Sequence, residues 1–250
     1  YELPVPSAQI KSAVLLAGLN TPGETTVIET RLSRDHTEIM LQAFGADVRV
    51  AERDTGGRAI AITGQPELYA RPIAVPGDLS SAAFPGVAAL VVPGSEVTVQ
   101  GIGLNPTRIG LLQTLSDMGA KIDIAEITEG PGERVGDVTF RAGPLHGIDV
   151  PAERAPLMID EYPILAVAAS CARGTTRMHG LAELRVKESN RLTAIADGLQ
   201  IAGVQASIDG DSLIIEGRAG QPLGGGHILS RLDHRIAMSF LVLGLAAEQP

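Results

Sequence analysis

The sequence predicts an α/β fold of the α+β kind, assembled from a repeated βαβαββ unit. Three observations lead there: an order of parts that recurs along the chain, glycines at matching points of each copy, and Ala- and Leu-rich helical stretches alternating with short strands. With 44% hydrophobic residues among 250, the chain can bury one large core or two smaller ones. Its 29 glycines and 16 prolines fit many short elements separated by turns better than a few long helices.

In the first copy, IKSAVLLAGLNTPGETTVI (10–28) gives an apolar helix, a Gly turn and a strand. TEIMLQAFGADVRV (37–50) follows with a second helix that ends in Gly and leads into another strand. LSSAAFPGVAALVVPGSEVTV (79–99) and IGLLQTLSDMGAKIDI (109–124) repeat that order, as do YPILAVAASCARGTTRM (162–178) and RLTAIADGLQIAGVQASI (191–208). A fourth copy opens at DHRIAMSFLVLGLAAEQP and reaches Pro250 before its strand and second helix. The turn glycines Gly23, Gly94 and Gly174 are 71 and 80 residues apart, and Gly45, Gly119 and Gly203, after the second helices, 74 and 84. Just past a helix end the backbone turns left-handed, which Gly does without steric cost. The first helix of each copy is apolar nearly all round and is expected to be buried. The second is amphipathic, as in TEIMLQAF, and is expected to cover the outside. The closing strand pair is illustrated by DVTFRA and the segment leading into IDVP. The stretches near 72–78 and 147–152 join one copy to the next, and either is a candidate domain boundary.

A net charge of −9 and a pI near 5 exclude nucleic acid and anionic membrane as main partners, because both reward a basic face. Aromatic residues, at 3%, leave little for base stacking. The lone Cys171 can form no internal disulfide and offers no zinc-ligand pair, which places the chain in a reducing cytoplasm with an inert core thiol. The longest apolar runs, 162–172 and 236–247, fall short of the roughly 18 residues of a membrane span and read as buried helices. No signal sequence opens the chain. Tyr1 begins mid-pattern without an initiator Met, so both ends of the repeat array are expected to be missing.

Polar clusters fall at the start of each first helix: Ser7, Gln9 and Lys11; Asp78, Ser80 and Ser81; Asp160 and Glu161; Asp233, His234 and Arg235. Free backbone N–H groups and the positive end of the helix dipole make such a turn a site for phosphate or carboxylate. For Asp78, Ser80 and Ser81, capping alone is the better reading. AELRVKESNRL (182–192) sets Arg185, Lys187, Glu188 and Arg191 at another helix start, where cations are disfavoured. An exposed salt-bridged face would be worth a few tenths of a kcal/mol. The chain has only three Lys, however, and Lys11 and Lys187 both stand at helix N-termini, which points to bound anions. Arg235 precedes an apolar helix, where an anion or Asp233 must meet its guanidinium. RDHTE (34–38) reads as a charged cap, with His36 capping rather than catalytic.

SAQIKSA (7–13), MIDEYP (158–163), RVKESNRL (185–192) and DHRIAMS (233–239), in the order of the 5-enolpyruvylshikimate-3-phosphate synthase family, resemble that family along essentially the whole chain. SAQIK, RDHTE and NPTR (105–108) look most like its bacterial subgroup with glyphosate-tolerant members. The resemblance implies two domains of the enolpyruvyl transferase type, with 1–75 the last unit of an incomplete N-terminal domain and 76–250 two full units of the C-terminal domain plus the start of a third. It implies transfer of enolpyruvyl from phosphoenolpyruvate to shikimate 3-phosphate, in aromatic amino acid biosynthesis, without metal or redox cofactor. Ser7, Ala8 and Gln9, with Arg34 and Lys187, match residues that hold shikimate 3-phosphate, and Asp160 matches the carboxylate at its reacting hydroxyl. Glu188 matches the carboxylate near the phosphoenolpyruvate methylene, and Arg191 and Arg235 its phosphate and carboxylate grips. The resemblance also implies a monomeric full-length form. A DKS-type segment, an N-G-T loop and a late Lys of the family are absent from the sequence, so the chain alone is expected to be incomplete for activity. The related family of UDP-N-acetylglucosamine enolpyruvyl transferases is the alternative, as is a catalytically silent piece of the same fold.

Overall fold

The computed structural model describes residues 1–127 and 132–249. The chain divides into two compact units: Tyr1–Val75 with 132–134, and Pro76–Ile127 with 135–249. Each is built from the repeat that the sequence predicts.

In the first unit, α1 (Ala8–Leu19) leads into β1 (Glu24–Glu29), α2 (His36–Ala43), β2 (Val48–Glu52) and β3 (Arg58–Thr63). The three strands form an antiparallel sheet in the order β1-β3-β2, and Glu2 adds a parallel bridge to Ile28 on the outer side of β1. Leu15 of α1, Leu41 of α2 and Val27, Val48, Ile60 and Ile62 of the sheet make its small core.

The second unit runs α3 (Leu79–Val91), β4 (Glu96–Gly103), α4 (Gly110–Asp117), β5 (Lys121–Glu126) and β6 (Val135–Arg141). It continues through β7 (Asp149–Val150), α5 (Ala155–Met158), α6 (Tyr162–Cys171), β8 (Arg173–Met178), α7 (Arg191–Ile201), β9 (Gln205–Asp209) and β10 (Ser212–Arg218), and α8 (His234–Ala246) follows. Its two sheets have the orders β4-β6-β5 and β7-β8-β10-β9. In both, the chain ahead of the first helix pairs parallel with the strand after it: Gly77 with Ile102, and β7 with β8. All six repeat glycines, Gly23, Gly45, Gly94, Gly119, Gly174 and Gly203, have φ between +74° and +97°.

Two expectations are corrected. The segment leading into IDVP is not the second strand of the closing pair of the second copy. That pair is β5 with β6, and Asp149–Val150 opens the third copy beside β8. Burial of the helices also departs from the repeat rule. α3 and α6 are buried as expected, with nine of ten α6 residues inside. α1 buries only Lys11, Leu15 and Gly18, and α8 leaves Leu241 and Leu245 exposed, whereas the second helix α7 buries seven of its eleven residues. The reason is neighbourhood rather than composition. α3 and α6 pack against each other, against α8 and against sheets, while α1 packs on β1 and β3 of its own unit and meets α2 through Lys11 and Ser12.

Candidate active site

The first turn of α1 carries Ser7, Ala8 and Gln9. Ser7 is the N-cap, its Oγ accepting from Ile10 N at 3.3 Å, and Gln9 is exposed. Arg34 is half-buried ahead of α2. Lys11, one turn further along α1, does not meet an anion from solvent. It has no exposed surface, and its Nζ lies 2.7 Å from Glu38 Oε1 and 3.1 Å from Glu29 Oε2, both buried. The anion-site reading of Lys11 is therefore wrong: its partners are carboxylates brought from β1 and α2.

In the second unit the structure gathers Asp160, Lys187, Glu188, Arg191 and Arg235. Asp160 lies in a 3-10 turn, Ile159–Glu161, directly ahead of α6. Lys187 and Glu188 follow another 3-10 turn, Ala182–Val186, and precede α7, whose N-cap Asn190 accepts from Thr193 N. Arg191 is the first residue of α7 and is wholly buried, although a cation at a helix start is normally unfavourable. Three carboxylates account for it. Nε donates to Asp233 Oδ2 at 2.8 Å, Nη1 to Asp160 Oδ1 at 3.1 Å, and Nη2 to Glu188 Oε2. Burial lowers the pKa of Arg191, but these carboxylates outweigh it and raise the pKa above its ordinary value.

Asp233 belongs to this cluster rather than to the Arg235 guanidinium. It caps α8 by accepting from Arg235 N at 3.0 Å, takes the Ser189 hydroxyl at 3.0 Å, and meets Arg191. Burial pushes its carboxyl upward, yet the Arg191 and Ser189 hydrogen bonds prevail and hold it below the usual 3.8. Arg235 Nη1 reaches the Asp160 carbonyl at 3.4 Å. Lys187 Nζ lies 3.7 Å from Asp160 Oδ1 and donates to Glu183 at 2.5 Å, so the i,i+4 pairing considered for this run exists beside its link to Asp160. Glu188 is half exposed and Asp160 one-fifth exposed. The two carboxylates share Arg191 but differ in solvation.

The sequence reading gave no site role to three residues of this region: Ser80, read as a cap, Arg108 of NPTR and Glu161 beside Asp160. Asp78 caps α3 as expected, accepting from Ser80 N and Ser81 N, and Ser81 Oγ donates to it as well. The Ser80 hydroxyl instead donates to the buried Glu161 and accepts from Arg108 Nη2 at 2.6 Å. A Glu beside Asp160 and an Arg ending NPTR were the available signals. Among the described residues no group of three or more His, Cys, Asp or Glu is placed to hold a metal ion, and no helix is long and apolar enough to cross a membrane.

The family model of EPSP synthase (3-phosphoshikimate 1-carboxyvinyltransferase) matches residues 1–250. The chain belongs to the EPSP synthase family. It is 62% identical over 249 residues to the 3-phosphoshikimate 1-carboxyvinyltransferase of Rhodospirillum rubrum, covering 100% of this chain and 55% of that protein. The Methylorubrum extorquens protein of the same name is 62% identical over 252 residues, with 100% and 56% covered. The chain thus spans about half the length of these relatives. Among solved structures, EPSP synthase from Acinetobacter baumannii superposes with a TM-score of 0.92 at 44% identity, covering 100% of this chain and 56% of that one. The enolpyruvyl transferase NikO from Streptomyces tendae, at 23% identity, TM-score 0.69 and coverage of 94% and 52%, shares the fold.

Proposed function

We propose that this chain carries part of the machinery for moving the enolpyruvyl group of phosphoenolpyruvate onto the 5-hydroxyl of shikimate 3-phosphate, with release of phosphate, in the route to chorismate and aromatic amino acids. The observation that supports this most is the convergence of three cations on Asp160, Lys187 and Arg191 at its carboxylate and Arg235 at its carbonyl, with Glu188 on the same Arg191, in a family named for that reaction. Both substrates are anions and the chain is at −9, so binding must come from local cations rather than from the overall field.

In this reading Asp160 takes the proton of the attacking hydroxyl while Glu188 delivers one to the methylene carbon of phosphoenolpyruvate and later removes a proton as phosphate leaves. Lys187 is assigned to shikimate 3-phosphate, and the family resemblance alone assigns Ser7, Ala8, Gln9 and Arg34 to that substrate. Arg191 and Arg235 grip phosphoenolpyruvate. Because Arg191 is buried under its carboxylates, Glu188 has to swing off Nη2 before the guanidinium can meet a ligand, and its half-exposed position allows that. The reading extends to residues 1–75 as the last unit of an N-terminal domain, residues 76–250 as most of a C-terminal one, and a cytoplasmic monomer at full family length.

Phosphate release from phosphoenolpyruvate tests the assignment in a chain of full family length. Shikimate 3-phosphate should support turnover and UDP-N-acetylglucosamine should not. K187A and R235A should each weaken binding by about 2–5 kcal/mol, the range for removing one partner of a desolvated charge pair. Normal binding with early melting would make these residues structural and the assignment wrong.

A further inference from the structure

We infer that Glu161 is a positioning residue for Asp160, held in place by a directed chain of hydrogen bonds that starts at Arg108 and passes through Ser80. The inference rests on the role proposed above for Asp160.

The chain begins in NPTR. Asn105 is buried, and its Oδ1 accepts from Thr107 N at 2.8 Å and Thr107 Oγ1 at 2.6 Å, while Arg108 N donates to Asn105 O at 2.8 Å. This closed turn presents Arg108 to the start of α3, where Nη2 donates to Ser80 Oγ and lies 3.6 Å from both Glu161 Oε1 and Asp78 Oδ1. A serine hydroxyl has one proton. Ser80 gives that proton to Glu161 Oε1, which fixes the polarity of the chain from Arg108 to Glu161.

Glu161 is 1% exposed, and its Oε2 has no hydrogen-bond partner. A buried ion pair with an unsatisfied oxygen contributes little to folding, and an apolar side chain of similar size is often as stable or more so. Its location supplies another use. Asp160 and Glu161 are consecutive in the turn ahead of α6, and no side-chain cap bonds the N-terminus of that turn or of α6. Their side chains take different partners: Asp160 meets Arg191 and Lys187, and Glu161 meets Ser80 and Arg108. The peptide between them is short, so the grip on Glu161 sets where the Asp160 carboxylate sits.

The test uses S80A, E161A and E161Q, the last keeping an oxygen for the Ser80 hydroxyl. At full family length, S80A and E161A should lower kcat about 10- to 100-fold, the effect of an ångström-scale misplacement. KM for phosphoenolpyruvate should stay within about twofold, and E161Q should retain most of kcat, because the acceptor rather than the charge is what positions. A purely structural role would lower stability without this split. In parallel, a crystal structure of the 250-residue chain carrying S80A should show the Asp160 carboxylate displaced from Arg191 Nη1. Unchanged kcat in S80A and E161A, or Asp160 in its original place in that crystal, overturns the inference. If the unsubstituted full-length chain fails to turn over shikimate 3-phosphate, the functional reading falls, and the crystal result alone then decides whether Glu161 positions Asp160.

Discussion

Replacing Lys11 by Met removes the only cation from a buried triad. Glu29 and Glu38 are 1% and 4% exposed, and with Lys11 gone each is a buried carboxylate without its ammonium. Breaking a buried pair in this way costs about 3–5 kcal/mol. The two carboxylates are not equally affected. Glu29 keeps the Ser33 hydroxyl at 2.7 Å and the Ser33 N–H at 3.3 Å, whereas Glu38 Oε2 already lacks a hydrogen-bond partner, so Glu38 bears most of the loss. The first unit has only a small core, and this loss is a large share of the 5–15 kcal/mol typical of a domain. Urea unfolding followed by hydrogen exchange in β1–β3 should show K11M opening far earlier than the parent, while amides of β6 change little. K11M/E38M should recover much of the difference, because an apolar pair replaces a lone buried charge. A loss below about 1 kcal/mol, or a double variant no better than K11M, would refute the view that ion pairing rather than packing keeps Lys11 inside.

D233N should lose about 3 kcal/mol at pH 7, near the lower end for a broken buried pair because Asp160 and Glu188 remain on Arg191. The folded pKa of Asp233 is depressed, so its contribution is complete above the ordinary 3.8 and fades as pH falls through the folded value. The gap between D233N and the parent in urea midpoint should therefore narrow below about pH 4. G217A places a Cβ 2.1 Å from the Ala172 carbonyl oxygen. Relieving that overlap should cost about 1–3 kcal/mol, read as a lower Tm. The Cys171 thiol is pushed up to about 11 by burial, so at pH 8 it should react with a disulfide reagent roughly 100-fold more slowly in the native chain than after unfolding. A native rate matching the unfolded one would show the thiol open to solvent.

What the sequence made legible was local. The repeat glycines gave helix ends and positive φ because steric freedom belongs to one residue, and the runs VKESNR and DHR carried their cations within a few positions of a helix start. What it hid was long-range pairing. Lys11 resembles an anion-site lysine until Glu29 and Glu38 arrive from 18 and 27 residues away. Ser80 looks like a cap residue because nothing near it in the chain announces Glu161, 81 residues on. Helix burial escaped for the same reason: α1 and α6 have similar composition, but only α6 is enclosed by other helices and a sheet. The segment leading into IDVP was matched with DVTFRA because a strand pattern shows that a segment pairs, not with which partner, and β6 pairs with β4 and β5 instead.

In the proposed reading, the three carboxylates around Arg191 make anion recognition an exchange. Lys187, Arg191 and Arg235 are matched in number by Asp160, Glu188 and Asp233, so an incoming anion must outcompete groups the protein already owns. A small monoanion such as acetate or chloride offers Arg191 no more than Glu188 does, and gives up its own hydration to do so. A doubly charged phosphate gains on the trade. On that reading the arrangement would discriminate by valence, and a monoanion would be a poor competitor at a cluster that is nonetheless rich in cations.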